Sequence, residues 1–355
     1  MSTSHVDATD PVVADLLSGI LEVLAAAGGW LHPQARLVER EGHLRLHCLA
    51  PEGEPLVRVP HAAMVPVGRL SWAASPDALA LDDLPEDLDP LATELAYLEV
   101  ALLNQCGKVP QLQLTHPLIA PLEPGLIEAV QALRPGFRVE PIDPTSLLWS
   151  TRCFRLTVGA GPAEPVVIPV VDLLDHHAAG ATGTGQADSF GVTVRHVGTG
   201  DACFLDYGWK RDAIGMALTY GFADSSADLA HSAPLSVDLG LLGRLEILGK
   251  GRDADGHLLP MQATRLPGGV ALSHVSFGIG FHPVHQVMEA TGWEESTATS
   301  AVEAVASANL VLLDALIDQA VADGRPASRV LADAAGHQQW IIRTFPEHAR
   351  DLPLT

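Results

Sequence analysis

The chain has 355 residues, 47% of them hydrophobic and 18% charged, enough apolar material for a sizeable core and too little charge density for a disordered polymer. A formal net charge of −22 argues against broad nucleic-acid binding, because phosphates would be repelled; it fits a cationic partner or an acidic solvated surface. Mean hydropathy is +0.21, yet charges such as Glu22, Asp314 and Asp318 interrupt the apolar stretches before they reach the ~18 residues of a membrane-spanning run.

"DPVVADLLSGILEVLAAAGG" (10–29) reads as the first helix. Asp10 can cap it, Pro11 fits its first turn and Gly28-Gly29 can end it. Apolar residues at 13, 16, 17, 20, 21 and 24 make one buried stripe. "HLRLHCLAPEGEPLVRVP" (43–60) reads as two short strands around a P-E-G-E turn. Residues 75–145 change character, acidic at first and then helical, with "PGLIEAVQALRPG" a helix between prolines. Strand character returns in "SLLWSTRCFRLTVG" and "EPVVIPVVDLLDHH", after which the glycine-rich "AAGATGTGQADSFG" is expected to be a flexible connection. It lacks the G-K-[ST] ending of a phosphate-binding loop. Beyond 235, "LSVDLGLLGRLEILG" and "GGVALSHVSFGIGF" read as strands. The segment "SAVEAVASANLVLLDALIDQAVADGRP" reads as a long helix ended by Gly324 and Pro326, and "ASRVLADAAGHQQWIIRTF" as the last helix.

The chain carries no Lys or Arg before Arg36, so the n-region of a signal peptide is missing and a cytoplasmic protein is expected, with no membrane or nucleic-acid partner. Lysine occurs only at Lys108, Lys210 and Lys250, and abundant alanine suggests a GC-rich bacterial genome. Cys48, Cys106, Cys153 and Cys203 form no C-x-x-C pair and read as free thiols. No G-x-S-x-G, H-E-x-x-H or G-x-G-x-x-G is present. His282 and His285 are separated by proline with no acidic partner in view, and no metal is expected. The adjacent His176 and His177 cannot both face one site on a strand.

Four segments in one order remain: "GGWLHPQARLVEREGHLRLHCLAPEGEPLVRVP", "WSTRCFRL", "VVIPVVDLLDHH" and "FLDYGWKRDAIGMALTYGFAD", the last followed by "HSAPLSVDL". Together they resemble the SET-domain methyltransferases, and within them the Rubisco large-subunit methyltransferase-like branch, whose SET domain is split by a helical insertion. The resemblance covers roughly residues 25–240. It implies an α+β chain with a SET-type fold of short β-sheets. The parts expected are an N-terminal helix and first SET part (1–74), a helical insertion (75–145), the second SET part (146–234) and a C-terminal α/β or helical lobe (235–355).

The resemblance also implies roles. Tyr207, in the Y-G motif, matches the tyrosine at the methyl-transfer channel. Tyr220 and Phe222 of Y-G-F match residues that help line the site, although Tyr220 would equally end a helix as ordinary packing. Asp175-His176 stand where the family has an Asn-His pair holding S-adenosylmethionine; the histidine matches and the asparagine has become aspartate. An aspartate keeps the acceptors and loses the amide donors, while its charge suits the sulfonium or amino group. Arg152 matches a cofactor-binding arginine, or serves as a salt-bridge partner. Phe154 matches an aromatic pocket wall, or packs in the core. The first cofactor loop, usually G-x-G, is here Gly42, His43 and Leu44, with one glycine only.

These matches imply S-adenosylmethionine as cofactor and in-line transfer of its methyl group to a neutral nitrogen. The acceptor implied is a lysine, or secondarily a histidine, of a protein or peptide. The altered cofactor loop and strand-containing C-terminal lobe also suit a biosynthetic enzyme acting on a small-molecule or carrier-bound acceptor. Asp175 and the missing glycine suit a non-catalytic SET-like binding module.

Overall fold

The computed structural model of the chain describes residues 5–73, 75, 77–138, 142–157, 163–182, 186–197, 201–207, 211–249, 251 and 259–348. The chain is α+β, with helices and several small sheets. The helices run α1 (Pro11–Ala26), α2 (Pro90–Gln105), α3 (Lys108–Thr115), α4 (Pro124–Leu133), α5 (Pro144–Ser150), α6 (Ala213–Tyr220), α7 (Pro283–Thr291), α8 (Glu295–Asp323) and α9 (Pro326–His348). Two compact units divide the chain: residues 1–113 with 142–208, and 114–141 with 209–355. The region 75–145 is therefore shared, α2 belonging to the first unit and α4 to the second.

In the first unit, helix α1 begins as its sequence signals. The Asp10 carboxylate accepts the Val12 amide at 2.8 Å and Pro11 fills the first turn. Val13, Leu17, Ile20, Val23 and Leu24 are buried, and the helix packs against α2. Strands Val6–Ala8, Ala35–Arg40 and His43–Cys48 form one sheet. Arg40 pairs with His43, so Glu41 and Gly42 alone make the hairpin turn, and both have positive φ (54° and 76°), the geometry of a type I′ turn.

Glu39 fastens the N-terminus to that hairpin. It is 2% exposed, and it accepts from the Thr9 amide and hydroxyl, the Asp10 amide and the Gly42 amide at 2.7–3.1 Å. A second sheet orders Gln186–Ala187, Gly191–Arg195, Pro55–Pro60 and Trp30–Leu31.

Two sequence expectations are corrected here. "SLLWSTRCFRL" begins as helix α5, because Asp143 caps Ser146 through its amide (2.9 Å) and hydroxyl (3.0 Å) and Pro144 sits in the first turn; only Phe154–Leu156 is strand. The glycine-rich stretch after His177 is not a simple loop. Strand Asp175–Thr182 extends into it and pairs in parallel with Phe204–Asp206 at two places, Asp175–His176 against Phe204–Leu205 and Ala181–Thr182 against Leu205–Asp206. Residues 183–185 of that stretch lie outside the described residues, as do Gly208, Trp209 and Lys210 of the Y-G-W-K motif.

The second unit is built on the hairpin of α8 and α9, with α4, α6 and α7 packed around it. Leu313, Leu316, Ala320, Leu331, Ala334 and Ala335 are fully buried. Gly324 ends α8 in the left-handed conformation, as its sequence signal predicts. By length and composition α8 could cross a bilayer, yet its buried face forms part of this unit's core. A four-stranded sheet orders Leu235–Asp238, Arg244–Ile247, Gly269–Leu272 and Ala263–Leu266 beside it.

Candidate active site

Strand pairing brings His176 and Tyr207 together. The Tyr207 amide donates to His176 Nδ1 at 3.1 Å, the two rings lie 5.2 Å apart, and the Tyr207 hydroxyl donates to the Leu174 carbonyl. Because Nδ1 accepts, the imidazole proton sits on Nε2. Because the phenol proton is committed to a backbone carbonyl, the capacity left to the phenol oxygen is that of an acceptor. His177 turns the other way and packs its ring 5.2 Å from Phe204, the alternation a strand demands.

Asp175, at the head of the same strand, is ion-paired. Arg45 Nε lies 3.0 Å from its carboxylate, with the two side chains 61% and 46% exposed. This pairing ties the Asp175 motif to the strand that carries His43 and Leu44. His43 is exposed and Leu44 is buried in the core. Gly42 is a turn glycine whose Cβ position lies 3.1 Å from the Cys106 carbonyl, so the hairpin tip packs against the end of α2.

Arg152 follows α5. Its Nη1 donates to the Asp172 carbonyl at 3.1 Å and reaches the Asp172 carboxylate at 3.3 Å. Asp172 is buried, and burial pushes its carboxyl up against the pull of Arg152. Glu99 of α2 is also buried and feels both. Burial first, and then the Asp172 charge, hold the Glu99 carboxyl well above the ordinary range. Both Glu99 oxygens, Asp172 Oδ1 and Trp149 Nε1 are buried without a hydrogen-bond partner among the described residues. Sequence reading missed Glu99, because a lone glutamate in an acidic helical segment carries no signal of burial. Phe154 is half-buried at the start of its short strand, opposite Val166. The Cys153 thiol beside Arg152 is pushed up to about 12 by burial and is unreactive at neutral pH.

Tyr220 and Phe222 belong to the second unit. Tyr220 is the last residue of α6, Gly221 caps the helix in the left-handed conformation, and the Tyr220 and Phe222 rings lie 6.2 Å apart. The Arg211 guanidinium sits 5.4 Å from the Tyr220 ring centroid. Gly221 leaves room for His116: a Cβ there would stand 2.8 Å from the imidazole Cδ2. His116 is fully buried, donates to the Thr219 carbonyl (3.1 Å) and accepts from the Leu118 amide (3.2 Å), so it is a neutral single tautomer, and burial lowers its pKa. The Y-G-F motif thus has a packing role within its own unit. Gly42, Arg152, Phe154, Asp175, His176 and Tyr207 all belong to the first unit.

One solved structure similar to this chain is that of the SET domain of LSMT bound to lysine and AdoHcy. The TM-score is 0.45 and the identity 11%, over 96% of this chain and 92% of that one. No protein-family model and no curated protein matches the chain.

Within the first unit, hydrogen bonds and ion pairs join His176 to Tyr207, Arg152 to Asp172, and Asp175 through Arg45 to the strand that carries His43 and Leu44. Among the described residues no group of three His, Cys, Asp or Glu side chains could hold a metal ion.

Proposed function

We propose that this chain is a SET-class methyltransferase that uses S-adenosylmethionine to methylate a nitrogen, with a lysine side chain of a protein or peptide as acceptor. The observation that carries this reading is the meeting of His176 and Tyr207, two motif residues far apart in sequence, in one strand pair. The resemblance of the sequence motifs asks for that juxtaposition, and neither residue alone would imply it. Arg152, anchored on Asp172, and the Gly42 hairpin stand in the same unit and supply the cofactor contacts.

The chemistry asks little acid–base strength of the protein. When bound, S-adenosylmethionine would supply a sulfonium methyl open to in-line attack by a neutral amine, the C–N bond forming as the C–S bond breaks to leave a neutral thioether. The acceptor's ammonium must first lose its proton, which partial burial and the neighbouring sulfonium charge favour. Tyr207 contributes position: its oxygen, with the proton given to Leu174, accepts from the incoming amine and fixes the line of attack.

Titration calorimetry with S-adenosylmethionine and with S-adenosylhomocysteine tests the reading. Binding of either at micromolar to submillimolar concentration, followed by transfer of labelled methyl groups to an acceptor peptide library, is the expected result. Absence of binding at millimolar concentration overturns it.

A further inference from the structure

Arg45 stands on the solvent side of the strand His43–Cys48, whose alternate residues Leu44, Leu46 and Cys48 fill the core. Val38 faces it on the neighbouring strand, and that strand carries Arg36 and Arg40 two residues to either side of Val38, on the same face. Arg40 is paired with Asp7 at 2.7 Å, and Arg36 donates to the carbonyls of Pro33 and Ala35. In a chain with 43 acidic against 21 basic residues, three arginines on one face of a small sheet stand out.

Arg45 meets Asp175 through one nitrogen. Its Nε lies 3.0 Å from Oδ2, and the two side chains are 61% and 46% exposed. Among the described residues neither Nη group of Arg45 nor Oδ1 of Asp175 has a hydrogen-bond partner. The pair therefore holds uncommitted N–H donors of a cation beside an uncommitted acceptor oxygen of an anion. An α-amino-acid group carries the mirror arrangement, an ammonium and a carboxylate on one carbon. Its carboxylate fits the guanidinium, its ammonium fits the aspartate, and each charge gains an opposite neighbour. Either half alone serves badly: Asp175 without Arg45 would repel the ligand's carboxylate, and Arg45 without Asp175 would repel its ammonium.

We propose that Arg45 is a ligand-binding residue which, as a pair with Asp175, recognises the zwitterionic end of an α-amino-acid group. On the methyltransferase reading, on which this inference rests, that group is the amino-acid end of the cofactor. Arg45 makes an aspartate usable at position 175: it offsets the negative charge that Asp175 would otherwise set against the carboxylate of the ligand.

The test compares S-adenosylhomocysteine with its decarboxylated analogue, which keeps the nucleoside, thioether and amine and loses the carboxylate. Affinities are measured by calorimetry for the wild type, Arg45→Gln and Arg45→Lys, with thermal unfolding as the check on folding. The expected result is that Arg45→Gln weakens S-adenosylhomocysteine about ten-fold, equivalent to ~1.4 kcal/mol, and leaves the decarboxylated analogue bound as well as before or more tightly. Arg45→Lys, which keeps the positive charge, should retain most of the affinity for S-adenosylhomocysteine. Equal losses for the two ligands, or no loss for either, overturn the assignment and leave the methyltransferase reading standing. Unfolding of Arg45→Gln overturns it too, by making the pair structural. If the wild type binds neither compound, the methyltransferase reading falls and the assignment falls with it.

Discussion

The Tyr207 amide donates to His176 Nδ1 at 3.1 Å while the Tyr207 hydroxyl donates to the carbonyl of Leu174, two residues before His176. One tyrosine thus grips the neighbouring strand at both ends, through its backbone and its side-chain tip. The grip fixes the imidazole tautomer and commits the phenol proton to a backbone carbonyl. On the proposed function, an oxygen held in this way suits alignment of an amine better than proton transfer.

Tyr207→Phe is expected to keep the amide bond to His176 and to lose only the hydroxyl bond, at a cost of about 1 kcal/mol in stability. Cofactor affinity should be nearly unchanged, and the methyl-transfer rate at saturating cofactor should fall about 10²-fold. Tyr220→Phe should be milder, because that ring packs against Phe222 and Arg211. Comparable small rate effects in both variants would leave Tyr207 as ordinary packing.

Asp175→Asn removes a charge from an ion pair whose partners are largely solvated, so stability should change by less than about 1 kcal/mol. The amide restores donors at the position where the resembled family carries asparagine, so affinity for S-adenosylhomocysteine should be kept or improved. Calorimetry and chemical denaturation read the two effects separately. A variant that fails to fold would show that the Arg45 pairing is structural.

Much of this fold was legible because local signals and burial agree. Asp10-Pro11 and Gly324 each mark a helix end by a mechanism that needs no tertiary context. Reading strand character across 146–159 ignored the cap at Asp143, where turn chemistry outweighed β-branched and aromatic content. The double pairing of Asp175–Thr182 with Phe204–Asp206 was not legible: its partner is remote in sequence, and a glycine-rich stretch looks like a linker until something packs on it. Glu99 and Asp172 were overlooked for a related reason. What distinguishes them is burial and the neighbours burial gives them, and neither is written in a single acidic letter.

Glu39 makes an acid-stability prediction with a definite sign. Hydrogen bonds from Gly42 first, with further donors at Thr9 and Asp10, outweigh burial and lower its pKa from 4.5 to about 2. A lowered folded-state pKa means its contribution is complete above about pH 4.5 and is lost as the pH falls toward 2. Glu39→Gln should therefore destabilise the chain by about 2 kcal/mol at pH 7, the scale of charge-assisted hydrogen bonds. The gap between variant and wild type should close between pH 5 and 2. A gap that is constant across that range in urea denaturation would show that the carboxylate's charge is not what holds the hairpin.

Asp212 is the corresponding anchor of the second unit. It caps α6 by accepting the Gly215 amide at 2.7 Å, accepts the His231 amide at 3.2 Å, and pairs with Arg134 following α4. Burial opposes its ionisation, but Arg134, His231 and the two amides outweigh that cost and hold its carboxyl below the ordinary value. Removing the side chain strips the helix cap and leaves the Arg134 guanidinium, 23% exposed, without its anion. Asp212→Ala should therefore cost about 3–5 kcal/mol, the scale for breaking a buried pair from one side. Arg134→Met should cost less, since the carboxylate it leaves behind keeps both amides. Asp212→Asn, which can retain the cap through its side-chain oxygen, should fall between them. Because the folded-state pKa is lowered, the penalty of Asp212→Asn should shrink as the pH drops below the ordinary carboxylate range. Denaturation curves at pH 7 and about pH 2.5 decide it: an Asp212→Ala cost under about 1 kcal/mol at pH 7 would mean that solvent replaces all three contacts and that α6 is held by packing alone.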